Sequence, residues 1–260
     1  MMWNKKAYKL LISSFLFMVV IINNFLIIDS LALSSNTNFH STEVDSFISN
    51  NINKLNLNVE ITADYNPDKP TIIICDICEC IMYVFQENNV IAKYPISGGK
   101  PSTPSPLGTW TIISKDTWGE GFGGRWMGFN VPWGKYGIHG TIFPNSVGWN
   151  SSHGCIRMYN NDVAELYKIT KHGTKVIIWG GPYGNFGSYF RTLKPGMRGS
   201  DIFELQEILK SKGYYKANAD GIYGDYFKNV VHKFQKDNNM TITDTLGWNF
   251  YSKLGVDLIE

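Results

Sequence analysis

The hydrophobic periodicity of this chain changes once, near Leu193, and that change constrains its fold more than any other feature. Upstream, TIIIC (71–75), IMYVF (81–85), VIAKYPIS (90–97) and TWTIIS (109–114) are short β-branched and aromatic runs, which read as strands. The first two are parted by a brief polar break, a hairpin signal, and the last two by the Gly/Pro-dense loop GGKPSTPSPLG (98–108). Downstream, Ile202, Leu205, Ile208 and Leu209 recur at helical spacing, and so do Phe227, Val230, Val231 and Phe234 after the turn ADGIYG. A short third helix is expected around Trp248 to Leu254. One helix is also expected inside the β region, over NNDVAELYKIT, capped by Asn160 or Asn161 with Val163, Leu166 and Tyr167 on one face. KVIIWG (175–180) then closes that region as a strand.

The resulting organisation is a Ser/Asn-rich spacer over 35–69, a mostly β domain with mixed sheets and a short helix over 70–180, and a flexible Gly/aromatic linker over 181–192. A small all-α three-helix domain follows over 193–256, close to the minimum that can bury a core of its own. At the N-terminus Lys5, Lys6 and Lys9 precede the apolar run from Leu10 to Ile22, and FLII continues it after two asparagines. Residues 1–34 therefore read as a secretory signal, with Ala32-Leu33-Ser34 as a cleavage site, or as an uncleaved membrane anchor. Either reading places the remainder outside the cytoplasm. A net charge of +2 with no basic stripe argues against nucleic acid as a partner.

Four cysteines in an exported chain would ordinarily suggest disulfides. Here Cys75, Cys78 and Cys80 crowd the segment CDICEC, and Cys155 stands alone. CDICEC lacks the second ligand pair of a zinc site, which favours a hairpin with incidental thiols. Between Gly119 and Gly140 lie eight glycines, interleaved with Trp118, Phe122, Trp126, Phe129 and Trp133. This mixture reads as part core and part cleft wall, with Trp126 and Trp133 as substrate-binding candidates.

The chemistry concentrates in residues 136–158, which hold Cys155 and two of the five histidines. A thiol is a weak nucleophile until an imidazole or a positive backbone environment favours its thiolate. His153, two residues before Cys155, shares its face on a strand; His139 reaches it only through folding. On chemistry alone both remain candidate bases, and His139, His153 and Cys155 together also make a three-ligand zinc set. Gly154 can present backbone N–H groups to a developing oxyanion. Arg157 can fork onto a substrate carboxylate.

SHGCIRM (152–158), with GIHGT (137–141) and KPSTPSPLG upstream, resembles the catalytic domain of the L,D-transpeptidase (YkuD-type) family over about residues 70–180. The resemblance implies Cys155 as nucleophile and His139 as its general base and acid, with the Gly140 carbonyl orienting the imidazole. Ser152, His153 and Gly154 would shape the site and its oxyanion hole, and Arg157 stands where the family's usual signature has an asparagine. The implied fold is mostly β and sandwich-like. The implied activity is peptidoglycan 3→3 cross-linking through a cysteine thioester, or, with water as acceptor, L,D-carboxypeptidase or endopeptidase action. No metal and no cofactor is implied; the partners are peptidoglycan stem peptides and glycan. A catalytically silent wall-binding protein is the rival from another class. LKPGMRGSDIFELQEILKSKGYY and DGIYGDYFKNVVHKFQ resemble the three-helix peptidoglycan-binding domain, with Asp220, Gly221, Gly224, Phe234 and Gln235 on its motif positions.

Overall fold

The first two β-branched runs fold back on each other because the break between them can turn tightly. Asp76 Oδ1 accepts the N–H groups of Cys78 and Glu79 at 2.9 and 3.0 Å, closing the turn between β1 (Thr71–Asp76) and β2 (Ile81–Gln86). CDICEC is thus a hairpin connection, with Cys75 and Cys80 buried and Cys78 exposed. In this computed structural model, which describes residues 65–256, β3 (Asn89–Pro95) continues the meander. On the other side of β1 lies β8 (Lys175–Trp179), parallel to it and antiparallel to β4 (Gly108–Asp116). β1 is consequently flanked by strands on both sides, which suits its near-continuous apolar sequence.

From β4 the sheet runs through β5 (Trp126–Phe129) and β6 (Gly137–His139) to the two-residue β7 (Ile156–Arg157), giving the order β3-β2-β1-β8-β4-β5-β6-β7. The two edges then meet. Ser97, just past β3, exchanges both backbone hydrogen bonds with Arg157 of β7 at 2.9 Å each. The expected sandwich-like domain is therefore one curled, mixed sheet that closes on itself and leaves few strand edges exposed. Ile73, Met82, Ile96, Met127, Ile138, Ile156 and Met158 fill its interior, all fully buried.

The helix α1 (Asn160–Ile169) seals one end with Val163 and Leu166. Its cap differs from expectation: Tyr159 is the N-cap, without a side-chain cap bond. Asn160 instead accepts the Thr141 N–H at 2.8 Å, because the turn after β6 passes within its reach. At the other end Lys115 Nζ donates to the carbonyls of Tyr167 and Thr170 at 2.6 Å each, satisfying groups the helix leaves open.

Three helices follow, α2 (Ser200–Ser211), α3 (Asp225–Asp237) and α4 (Trp248–Leu254). They enclose a second apolar core that includes Ile202, Leu205, Leu209, Phe227, Val231, Phe234 and Tyr251. The buried Gln206 ties α2 to the Asp-Gly turn, its Oε1 accepting from the amides of Asp220 and Gly221 at 2.9 and 2.8 Å. On α3, His232 Nε2 lies 2.6 Å from Asp244 Oδ1, within hydrogen-bond distance. The linker's rings are packed: Phe190 lies on Tyr183, Phe186 and Tyr251 with ring centroids 4.5, 5.4 and 4.9 Å apart. Aromatic side chains in a connection are stable only when covered, and here the helical core covers them. The basic and apolar N-terminal segment and residues 35–64 of the spacer lie outside the described residues. Among those described, no helix is long and apolar enough to cross a membrane.

Ile138 lies fully buried in β6, between the cap helix and the closing strand. Ile138→Ala should cost about 2–5 kcal/mol of stability, read as a lower denaturant midpoint at unchanged slope.

Candidate active site

β6 and β7 run parallel with Ile138 opposite Ile156 and His139 opposite Arg157. One step back in the same register Gly137 stands beside Cys155, its N–H favouring the thiolate. Strand alternation then sets Cys155, Arg157, Gly137 and His139 on one face, though 16 residues separate the thiol from the imidazole in sequence. Trp126 of β5 pairs with His139. Because residue 137 is glycine, the Trp126 indole can lie over it.

His139 is 6% exposed and its Nδ1 sits 2.5 Å from the Gly140 carbonyl oxygen. A carbonyl only accepts, so Nδ1 carries the proton and Nε2 keeps a lone pair for a proton donor. The ring is flanked by Phe122 at 5.0 Å and by Trp126 at 5.9 Å, and Trp126 stacks on Trp118 at 4.4 Å. Burial pulls the imidazole pKa below its ordinary value; the Gly140 carbonyl opposes this and the nearby Arg157 charge adds to it. Burial likewise pushes the Cys155 thiol up, against the Gly137 N–H and the Arg157 guanidinium, which both favour the thiolate. Both shifts favour the uncharged thiol and imidazole over the charged pair.

The loop before Cys155 is held from both sides. The Ser152 N–H donates to the Gly98 carbonyl at 2.9 Å, and its own carbonyl accepts from Lys100 N–H and the Thr103 hydroxyl at 3.0 and 3.1 Å. The buried Ser152 Oγ accepts the Gly154 N–H at 2.9 Å and donates to the Cys155 carbonyl at 2.6 Å. The Gly154 N–H is thus engaged by Ser152, so any donors that Gly154 helps to present are those of its neighbours. Gly154 has a different necessity: at φ +111° its backbone lies where a Cβ would come within 2.6 Å of the Tyr136 ring.

His153 is exposed. Neither tryptophan expected in the cleft wall offers a surface to substrate. Trp126 is 2% exposed beneath Trp118, and Trp133 is 4% exposed among Trp110, Tyr136 and Phe203. Trp126 is covered by Trp118 and Phe122 of the β4–β5 connection, and Trp133 by the helical unit through Phe203 and Gly221. Sequence reasoning did not single out three contributors to the site: the Gly137 amide, the Tyr136 ring against Gly154, and Asn160, which braces the turn after His139. Gly137 opens the GIHGT motif and Tyr136 directly precedes it, and that is the signal the sequence holds for them.

A family profile described as "L,D-transpeptidase catalytic domain" matches residues 70–178, and one described as "Putative peptidoglycan binding domain" matches residues 198–250. The chain is 37% identical over 115 residues to the Bacillus licheniformis protein described as "Putative L,D-transpeptidase YkuD", covering 44% of this chain and 68% of that one. The chain belongs to the L,D-transpeptidase family. The Bacillus subtilis protein described in the same words is 45% identical over 92 residues, 35% of this chain and 55% of that one. A solved L,D-transpeptidase from Mycobacterium smegmatis aligns at 26% identity over 43% of this chain and 59% of its own, with TM-score 0.38. The chain thus spans between about half and two thirds of the length of these L,D-transpeptidases.

A thiol pKa raised by burial predicts how this L,D-transpeptidase site responds to pH. In a Cys78→Ser background, which removes the exposed thiol, iodoacetamide alkylation of Cys155 should still be accelerating above about pH 8.5. A plateau already reached below about pH 7 would instead reveal a standing thiolate–imidazolium pair.

Proposed function

We propose that this protein is a peptidoglycan L,D-transpeptidase that forms 3→3 cross-links through a thioester on Cys155, outside the cytoplasm. The observation that carries the reading is His139, whose Nδ1 is held by the Gly140 carbonyl so that Nε2 can act on the face shared with Cys155. His139 takes the thiol proton as the sulfur attacks the carbonyl of the third stem residue. This replaces the carboxylate of a serine-protease-like triad with a backbone oxygen. With the Gly154 N–H engaged by Ser152, the oxyanion falls to the amide of Cys155 itself, assisted by the Arg157 charge. The protonated imidazole then passes its proton to the departing amine of D-alanine, leaving the thioester. In the second half His139 accepts a proton from the side-chain amine of another stem's diamino acid as it attacks, and returns it to the leaving sulfur. Arg157, half-buried on the same face, is assigned to a stem carboxylate.

Incubation with disaccharide-tetrapeptide and mass spectrometry of the products tests the reading. Cross-linked dimer is expected; tripeptide alone would assign water as the acceptor and make the enzyme an L,D-carboxypeptidase. Cys155→Ala should abolish both products while the fold survives. His139→Ala should slow single-turnover acylation by at least ~100-fold, the scale of a lost general base. His153→Ala, at an exposed position, should do far less; the reverse ranking would transfer the base to His153.

A further inference from the structure

The helical unit is joined to the β unit by more than the linker. Trp133, in the loop between β5 and β6, points its ring at Gly221 of the Asp-Gly turn. At φ +67° a Cβ there would stand 2.2 Å from Trp133 Cε3. Phe203 of α2 packs on Trp133 and Trp110 at 5.6 and 5.8 Å, and Trp110 meets Trp133 edge-on at 5.2 Å. Arg198 Nη1 donates to the Trp133 carbonyl at 3.3 Å. Phe203 belongs to the apolar cluster of the β unit and not to that of its own helices. At the same junction a cavity of about 180 Å³ is lined by Gly99 and Pro104 of the loop that straps Ser152, and by Ser200 and Asp201 of α2.

Contacts continue from this junction to the thiol. The Trp133 and Tyr136 rings meet edge to face, 6.5 Å apart. The Tyr136 ring in turn lies against Gly154, immediately before Cys155. We infer that the helical unit is a fixed part of the active-site architecture, in which Gly221 and Phe203 position the Cys155 loop through Trp133 and Tyr136. This rests on Cys155 being the nucleophile and goes beyond the proposed function, which gives the helical unit no part in the chemistry. Gly221 and Phe203 are positioning residues; neither touches the thiol.

Two full-length variants act on the junction from different elements. Phe203→Ser removes the α2 side chain while leaving the helical core its own residues, and Gly221→Val forces Trp133 to move. The primary readout is the alkylation rate of Cys155 in the Cys78→Ser background, which needs no muropeptide and therefore stands or falls separately from the transpeptidase reading. The companion readouts are kcat and KM on soluble disaccharide-tetrapeptide and co-sedimentation with sacculi. In both variants alkylation and kcat should change by at least ~10-fold with KM nearly unchanged, and in Phe203→Ser sacculus binding should stay near wild type, since about 1 Å of misplacement can cost up to roughly 100-fold. Phe203→Tyr, which keeps the ring, should restore the wild-type rates. An alkylation rate within about twofold of wild type in both variants would overturn the inference, and so would losses confined to sacculi, which mark a simple tether.

Discussion

The backbone exchange between Ser97 and Arg157 is the constraint on which the remaining geometry depends. A sheet opening on β3 and ending on the two-residue β7 has two unpaired edges, and β7 alone is too short to hold its position. Joining those edges satisfies backbone groups that would otherwise be exposed and curls the sheet around one core. It also brings the loop of residues 97–104 against residues 149–154, so that a set of main-chain bonds holds the segment entering Cys155. The thiol's position is therefore a property of sheet closure and not of its own loop.

Electrostatics at the site follows from the same closure. His139 is buried and Cys155 partly so, and burial opposes charge on either, so the imidazole pKa falls while the thiol pKa rises. Arg157 is the nearby positive charge that acts on both, and it reaches them because it pairs with His139 across β6 and β7. Fixing the Nδ1 proton on the Gly140 carbonyl leaves the imidazole a single chemical task. A backbone acceptor does this without placing a second buried charge beside the thiol, which a carboxylate would do.

The helical unit shows how a small domain gains support from its neighbour. Its core is modest for its size, and Gln206 supplies part of the order by holding the Asp-Gly turn through three hydrogen bonds. That turn presents Gly221 to Trp133, so a motif residue of the helical unit is also its docking point. The aromatic linker is covered by the helical core, and Arg191, at its end, is paired with Asp201 at 2.6 Å. Rings that would be a liability in a free tether become the adhesive of a fixed junction.

Much of this was legible in the sequence because it depends on local periodicity and on motifs. The strand runs TIIIC and IMYVF, the helix over 160–169 and the three C-terminal helices follow from the spacing of apolar side chains, which local backbone geometry dictates. GIHGT and SHGCIRM marked Cys155 and His139 as a pair through family resemblance, although residue chemistry alone left His153 equally eligible. Tertiary structure decided what depends on long-range contact. Trp126 and Trp133 read as cleft walls but are covered, because aromatic identity does not say which face a sheet will close over. The Gly154 amide is taken by Ser152, and Asn160 braces a turn instead of capping its helix, because a short polar side chain bonds whatever backbone folding brings nearest. Composition alone suggested a flexible linker, and only tertiary structure showed its ring Phe190 packed on Tyr251 of the helical core.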